Sequence, residues 1–319
     1  MDRILVRRAC HGAQNASFFV TSGENPITDS MTEIAIVECP RDAWQGFKDF
    51  IPTSEKVSHI KMLANCGFHT IDAGSFVSPR AMPQMADARE LFSALDGVKE
   101  TTNTRLLSII ASEGGAKRAS EFDFIDSWGY PFSVSEEFQL RNSRKNIKDG
   151  LDDLKRVKDL AQKHGVELVV YLSMAFGNPY GEAYHEDMVL ERLAQAEEAG
   201  ADLISLSDTT GEGTIEKVVQ LCSLVKNESK VPWGAHMHST YEEAAAKATA
   251  AIQAGCTRID TALRGFGGCP FASDALIGNM PTEKVLTAIE QMKGISHELD
   301  PLALESAYNS ALSVFSDRH

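Results

Sequence analysis

From Met31 onward, short apolar runs rich in Ile, Val and Leu alternate with longer amphipathic ones. Eight runs read as strands: 34–39, 69–75, 105–112, 122–128, 166–174, 201–208, 231–239 and 256–265. Most are continuous rather than alternating, the pattern of strands buried on both faces of a parallel sheet. Between them the spacing changes to the helical period. The run 54–65 places Val57, Ile60 and Leu63 three apart behind Ser54 as a candidate N-cap. The run 146–164 lines Ile147, Leu151, Leu154, Val157 and Leu160 along one stripe, with Gly165 where a C-cap belongs. Similar helices are expected over 186–199 and 241–254, and two more over 282–292 and 302–315.

Eight strands alternating with helices over about 250 residues predict an α/β fold, a TIM (β/α)8 barrel with additional C-terminal helices. A doubly wound open sheet would announce itself by a glycine-rich turn after the first strand. The corresponding turn here is ECPRDAWQGF, which favours the barrel. Residues 1–30 differ from the rest, with Arg3, Arg7 and Arg8, small residues and few acids. They are expected to stand outside the barrel domain of 31–319, either as a start-site artefact or as a transit peptide.

In such a barrel, reactive groups collect where the strands end and the following loops converge. Polar residues fall at those places. The first strand runs into Pro40-Arg41-Asp42, the second carries Asp72 and Ser75, and the sixth ends at Ser207-Asp208-Thr209. The seventh contains His236-Met237-His238, and the eighth runs into Gly267-Gly268-Cys269-Pro270. Residues two apart on a strand share a face, so His236 and His238 point together into the barrel. Two imidazoles joined by a carboxylate such as Asp42 make a common divalent-metal arrangement. Each has a plainer reading: the histidines as polar barrel lining, Asp42 as a helix cap, Cys269 as an inert thiol in a glycine-rich turn. Asn279 follows with an amide oxygen suited to a hard cation.

Composition narrows the class. The net charge of −14 is wrong for a nucleic-acid surface, which needs clustered Lys and Arg. No run approaches the roughly 20 apolar residues that span a membrane. Six scattered cysteines without a CxxC pair favour reduced thiols and a cytoplasmic location, or the mitochondrial matrix if 1–30 is a transit peptide.

Together, CPRDAWQ at 39–45, GSFVSPRAMPQMAD at 74–87, SLSDTTGEGT at 205–214, HMHSTYEEA at 236–244 and GFGGCPFA at 265–272 resemble the 3-hydroxy-3-methylglutaryl-CoA lyase family. The resemblance implies a carbon–carbon lyase of leucine catabolism and ketone body metabolism, acting on an acyl-CoA and forming a homodimer. It implies Mg²⁺ or Mn²⁺ on Asp42, His236, His238 and Asn279. It also implies catalytic duties for Arg41, Cys269, Asp72 and Asp208, with Arg41, Gln45, Ser75, Asn142 and Thr209 on the substrate. The condensing relatives share the barrel and metal site but not the SFVSP…PQMAD and GGCPF segments. A Claisen-type condensing enzyme and a catalytically impaired metal-binding homologue are the alternatives. The chain departs from the family pattern at Asp72 (usually Glu), Ser239 (usually Asp) and Arg264 (usually small), and has one extra residue between Cys269 and Asn279. These changes leave Arg41, Asp42, His236, His238 and Cys269 in place; they put the acyl group in question, and the extra residue bears on Asn279 as a ligand.

Overall fold

The computed structural model describes residues 31–267 and 277–315. Eight parallel strands form a closed barrel in sequence order: Ala35–Glu38, Thr70–Ser75, Arg105–Ile109, Ser127–Ser133, Glu167–Ser173, Leu203–Asp208, Trp233–Met237 and Arg258–Thr261. The eighth pairs back on the first, with Val37 opposite Asp260 and Glu38 opposite Thr261, so no strand is left with an open edge. A short separate pair, Thr32–Glu33 with Ile295–Ser296, lies beside it. The C-terminal helices expected beyond the barrel are Thr282–Glu290 and Pro301–Phe315.

The local chemistry explains the helices. Asn146 caps Ile147–His164 by accepting the Asp149 N–H, and Gly165 ends it at φ +68°. Ile60, Leu63, Leu154, Val157, Leu193, Leu221 and Val225 are fully buried or nearly so between helices and sheet. Removing that much apolar surface from water is the main favourable term in folding. Inside the barrel, Leu107, Ile109, Val169 and Tyr171 form a smaller cluster. They close around Gly129, where a Cβ would lie 2.5 Å from Ile109 Cδ1 and 2.8 Å from the Tyr171 ring. Any larger residue would displace the barrel floor.

The long segment after the second strand, which walls one side of the mouth, is tied from beneath. Fully buried Lys56 donates to the Asp87 carboxylate at 2.9 Å and to the Gln84 carbonyl. The Gln84 side chain accepts the Ile51 N–H at 3.1 Å and donates to Phe47 O at 3.0 Å.

Three expectations need correction. The fourth strand is Ser127–Ser133, not 122–128. Phe122 instead stacks on Phe76 and packs at a tilt against Phe92 outside the barrel, at 5.7 and 5.8 Å between centroids. The true strand, SWGYPFS, is disguised by a Gly and a Pro that strand patterns usually exclude. The helix expected from 241 starts at Ala244, because Tyr241–Glu243 form a turn. Ser54 is not a cap: the helix Thr53–Ala64 starts one residue earlier, behind Pro52 and without a side-chain cap.

Glu38 is 1% exposed and faces the helical layer. Burial pushes its carboxyl from the ordinary 4.5 up to about 8, partly opposed by the Leu263 N–H and the Thr282 hydroxyl. The folded state therefore keeps this proton to higher pH than the unfolded chain. Its stabilising contribution is complete below the unfolded value and is lost as pH rises through about 8. Urea unfolding at pH about 5 and about 9 checks this. Glu38→Gln is expected to gain stability relative to the parent at the higher pH, and an equal difference at both pH values refutes the assignment.

Candidate active site

The first strand turns at Cys39 into the short helix Pro40–Gln45, with Pro40 at its first position, where the missing N–H costs nothing. Asp42 is the third residue of that helix, not its cap. Its carboxylate points into the barrel mouth and is buried. One oxygen accepts from Arg41 Nη1 at 2.8 Å and from Gln45 Nε2 at 2.6 Å, and the other from Asn279 Nδ2 at 2.9 Å.

Across the mouth, His236 on the seventh strand and His238 just past its end stand together, ring centroids 5.3 Å apart. One ligand atom each from Asp42, His236 and His238 lie within 4.8 Å of one another. His238 Nε2 is buried with no hydrogen-bond partner. Burial lowers the pKa of His238 to about 4, and the charge of His236 adds to this, so a neutral imidazole presents its lone pair. Burial disfavours the Asp42 carboxylate too, but Arg41 and both histidines outweigh it and hold the pKa below the usual range. An ionised carboxylate beside unprotonated imidazole suits a divalent cation.

His236 is oriented from behind. Its Nδ1 lies 3.3 Å from Asp260 Oδ2, and Arg258 Nη1 lies 3.0 Å from Asp260 Oδ1. Burial alone would lower the His236 pKa, but the hydrogen bond and charge of Asp260, aided by Asp42, raise it. A carboxylate behind a histidine fixes which ring nitrogen faces the site. Cys39, His236 and Asp260 also approach within 4.8 Å. Burial pushes the Cys39 thiol well up, and the Asp260, Asp72 and Asp42 charges add to it, so this group supports His236 instead of offering a second set of ligands.

Arg41 is divided among three partners. Its Nε and Nη2 reach Asp72 Oδ2 at 3.0 and 2.5 Å, while Nη1 serves Asp42 and, at 2.9 Å, Gln45 Oε1. Burial raises the Asp72 pKa to about 6 against the pull of Arg41. Asp72 Oδ1 is buried without a partner.

The remaining expected residues divide. Gln45, Ser75, Asn142 and Thr209 line a cavity of about 1350 Å³ that opens outward from the trio. Asp208 is absent from that lining. Its Oδ2 accepts the Gly213 N–H at 3.0 Å and lies 3.6 Å from Lys247 Nζ. A Cβ at Gly213 would sit 2.7 Å from the same oxygen, so a larger residue there would have to displace the carboxylate. Asn279 joins the trio, but through its amide nitrogen, which also donates to Phe266 O at 2.9 Å. Cys269 lies outside the described residues.

Sequence reasoning missed Lys247, Arg258 and Asp260. Lys247 is 2% exposed and donates to Gly211 O at 3.2 Å and His238 O at 3.3 Å, fastening the loop after the sixth strand to the seventh. Arg258 and Asp260 had a legible signal: two charged residues at period two on a buried strand must share one face.

A profile described as HMGL-like matches residues 34–310. The chain is 33% identical over 280 residues to the cytoplasmic 3-hydroxy-3-methylglutaryl-CoA lyase of Danio rerio, covering 86% of this chain and 81% of that one. It is 31% identical over 256 residues to the 3-hydroxy-3-isohexenylglutaryl-CoA/hydroxy-methylglutaryl-CoA lyase of Pseudomonas aeruginosa, covering 80% and 84%. Among solved structures, an HMG-CoA lyase from Acinetobacter baumannii in complex with coenzyme A and 3-methylmalate superposes with a TM-score of 0.81. It has 27% identity over 91% of this chain and 92% of that one.

Asp42→Ala and His238→Ala are each expected to weaken Mn²⁺ binding, followed by electron paramagnetic resonance, by more than about tenfold. Cys39→Ser should leave it unchanged. A loss in Cys39→Ser equal to that in Asp42→Ala would move the ligand set to Cys39, His236 and Asp260.

Proposed function

The chain belongs to the HMGL-like family, and from that premise we propose that it is a divalent-metal-dependent carbon–carbon lyase. It cleaves 3-hydroxy-3-methylglutaryl-CoA to acetyl-CoA and acetoacetate. The observation that carries this is the Asp42–His236–His238 trio beside the Arg41 guanidinium, lining a cavity of about 1350 Å³ that would take an acyl-CoA.

The donor set fits Mg²⁺ or Mn²⁺: one ionised carboxylate and an imidazole nitrogen with no other partner. Asn279 is the fourth protein ligand in this proposal, which requires its amide to turn its oxygen toward the trio and give up the Nδ2 bonds to Asp42 and Phe266 O. When bound, the cation supplies the charge that makes the substrate's tertiary hydroxyl acidic and polarises its carbonyl oxygens.

The chemistry is a retro-Claisen cleavage. A base takes the hydroxyl proton, the C–C electron pair passes to the thioester as an enolate, and a proton returned to carbon completes acetyl-CoA. Arg41 holds positive charge where the enolate oxygen develops, already fixed in place by Asp72. Fixed charge of this kind needs no reorganisation during the reaction. Asp72 thus acts through Arg41, and Asp208 through the turn next to Thr209. Cys269 is proposed as the proton donor to carbon. Arg80 and Arg144 are exposed cations in the lining of the same cavity, suited to coenzyme A phosphates, and half-buried Asn142 is proposed to position the acyl chain.

Relatives are named from both cytoplasm and mitochondria, and no helix among the described residues is long and apolar enough to cross a membrane. The cysteines at 39, 66, 222 and 256 are free and buried, which fits a reducing compartment, the cytoplasm or the mitochondrial matrix. A homodimer belongs to the same proposal and is checked by light scattering.

The purified protein with Mg²⁺ or Mn²⁺ and 3-hydroxy-3-methylglutaryl-CoA is expected to yield acetoacetate and acetyl-CoA in equal amounts. Cleavage only of an analogue with a longer 3-substituent would overturn the substrate and keep the chemistry. Turnover by Cys269→Ala should fall by about 10²-fold or more with Mn²⁺ affinity unchanged. Parent-like turnover removes the thiol from the mechanism.

A further inference from the structure

The polypeptide on either side of residues 268–276 forms two arms, 261–267 and 277–282. Both are held by one side chain that lies outside the cavity. Glu38 Oε1 accepts the Leu263 N–H at 2.7 Å, on the first arm. Glu38 Oε2 accepts the Thr282 hydroxyl at 2.7 Å, on the second. The Thr261 hydroxyl lies 3.4 Å from Oε2 and has a nearer acceptor in Val37 O at 3.1 Å. Each oxygen of the carboxyl group therefore has one firm partner, and the two partners are on opposite arms.

The arms are also bound to each other. The Ala262 N–H donates to Met280 O at 2.9 Å, and the Thr282 N–H to Ala262 O at 3.2 Å. Their backbones touch where side chains are missing: a Cβ on Gly265 would lie 3.0 Å from Asn279 O, and one on Gly278 2.2 Å from Gly265 O. Arg264, between the Glu38-bound residue and Gly265, holds a left-handed backbone at φ +67°. Its N–H donates to Glu283 at 3.1 Å, and its guanidinium faces the Tyr308 ring at 4.9 Å. Non-glycine residues keep such a conformation only where the surroundings over-determine it. Slippage of either arm would have to break this packing.

At the inner end of the second arm stands Asn279, on Asp42 Oδ2 and Phe266 O, both at 2.9 Å. Glu38 and Asp42 lie four residues apart on one segment, so the first strand and its turn grip the arms at two points. We propose that Glu38 is a positioning residue: by bridging Leu263 and Thr282 it fixes the register of the two arms and so the approach of Asn279 to Asp42. This rests on the assignment of Asp42, His236, His238 and Asn279 as the cation site. Glu38 itself never reaches the cavity; it is absent from the lining.

The test compares Glu38→Ala, Thr282→Val and Glu38→Gln with the parent, using Tyr130→Phe as a stability control. Tyr130 bonds Gly150 O and Asp153 in a distant part of the shell. Thr282→Val keeps the side-chain shape, so it reports even if Glu38→Ala fails to fold. Glu38→Gln keeps an accepting oxygen for Leu263 and offers an N–H to the Thr282 oxygen. Mn²⁺ affinity is expected to fall on the order of tenfold in Glu38→Ala and Thr282→Val, as for other groups that orient ligands. It should recover in Glu38→Gln and stay unchanged in Tyr130→Phe. In turnover, kcat should fall more than KM rises. Combining Glu38→Ala with Thr282→Val should cost less than the two separate losses multiplied together.

Parent-like Mn²⁺ affinity in Glu38→Ala and Thr282→Val, with only thermal stability lowered, overturns the proposal. If the parent itself binds no Mn²⁺, the functional assignment fails, and amide hydrogen exchange then decides the bridge alone. Faster exchange of Leu263 and Ala262 in Thr282→Val supports it, and parent-like protection there overturns it.

Discussion

Closure of the sheet, by pairing of the eighth strand on the first, is the constraint on which every other feature rests. The register Val37 with Asp260 and Glu38 with Thr261 brings residues more than 200 positions apart into contact. It sets Asp42, at the end of the first strand, opposite the histidines of the seventh and against Asn279 beyond the eighth. Hydrogen bonds along a closed ladder leave no edge to slide, so the positions at the mouth are inherited from the register. The Gly129 contacts work in the same direction, holding the floor of the barrel at a fixed width.

Within that frame, the site is a chain of alternating buried charges. Arg258, Asp260, His236, Asp42, Arg41 and Asp72 follow one another, each beside a group of opposite or switchable charge. Burying any one alone would be costly, and pairing recovers the cost only where geometry is good. The two ends of the chain differ in consequence. Asp260 is held ionised by Arg258 and spends its hydrogen bond on His236. Asp72 is pushed up to about 6 by burial, against the pull of a guanidinium it shares with Asp42 and Gln45. The histidines divide the same way. His236 takes charge readily because Asp260 backs it, while burial keeps His238 neutral, its ring meeting the Thr209 backbone where His236 meets a carboxylate.

The departures from the family pattern fit this arrangement. Ser239, where an acid is usual, donates its N–H to Gly278 O. The carbonyl of its neighbour His238 is held by buried Lys247, which also faces Asp208. Arg264, where a small residue is usual, is accommodated by Glu283 and Tyr308. These changes lie around the trio and leave Arg41, Asp42, His236 and His238 grouped at the barrel mouth.

Much of this was written in local order. Eight strands, seven of them near their expected positions, followed from runs of Ile, Val and Leu, because burial on both faces leaves that mark on any sequence. The common face of His236 and His238 followed from the pleat, and the placing of Asp42 just past the first strand from the Pro-Arg-Asp turn. The fourth strand escaped because Gly129 and Pro131 break the pattern for reasons that exist only in three dimensions: a crowded floor and a tolerant position in the ladder. The same holds for Asp208, whose sequence position at a strand end predicted a place in the cavity. Its carboxylate turns to Gly213 and Lys247 instead, since that is where donors stand. Periodicity fixes which way a side chain leaves its own element. Which partner it meets there depends on barrel closure, and that brought Asp260 behind His236, the Asn279 amide onto Asp42, and both arms of 261–282 onto Glu38.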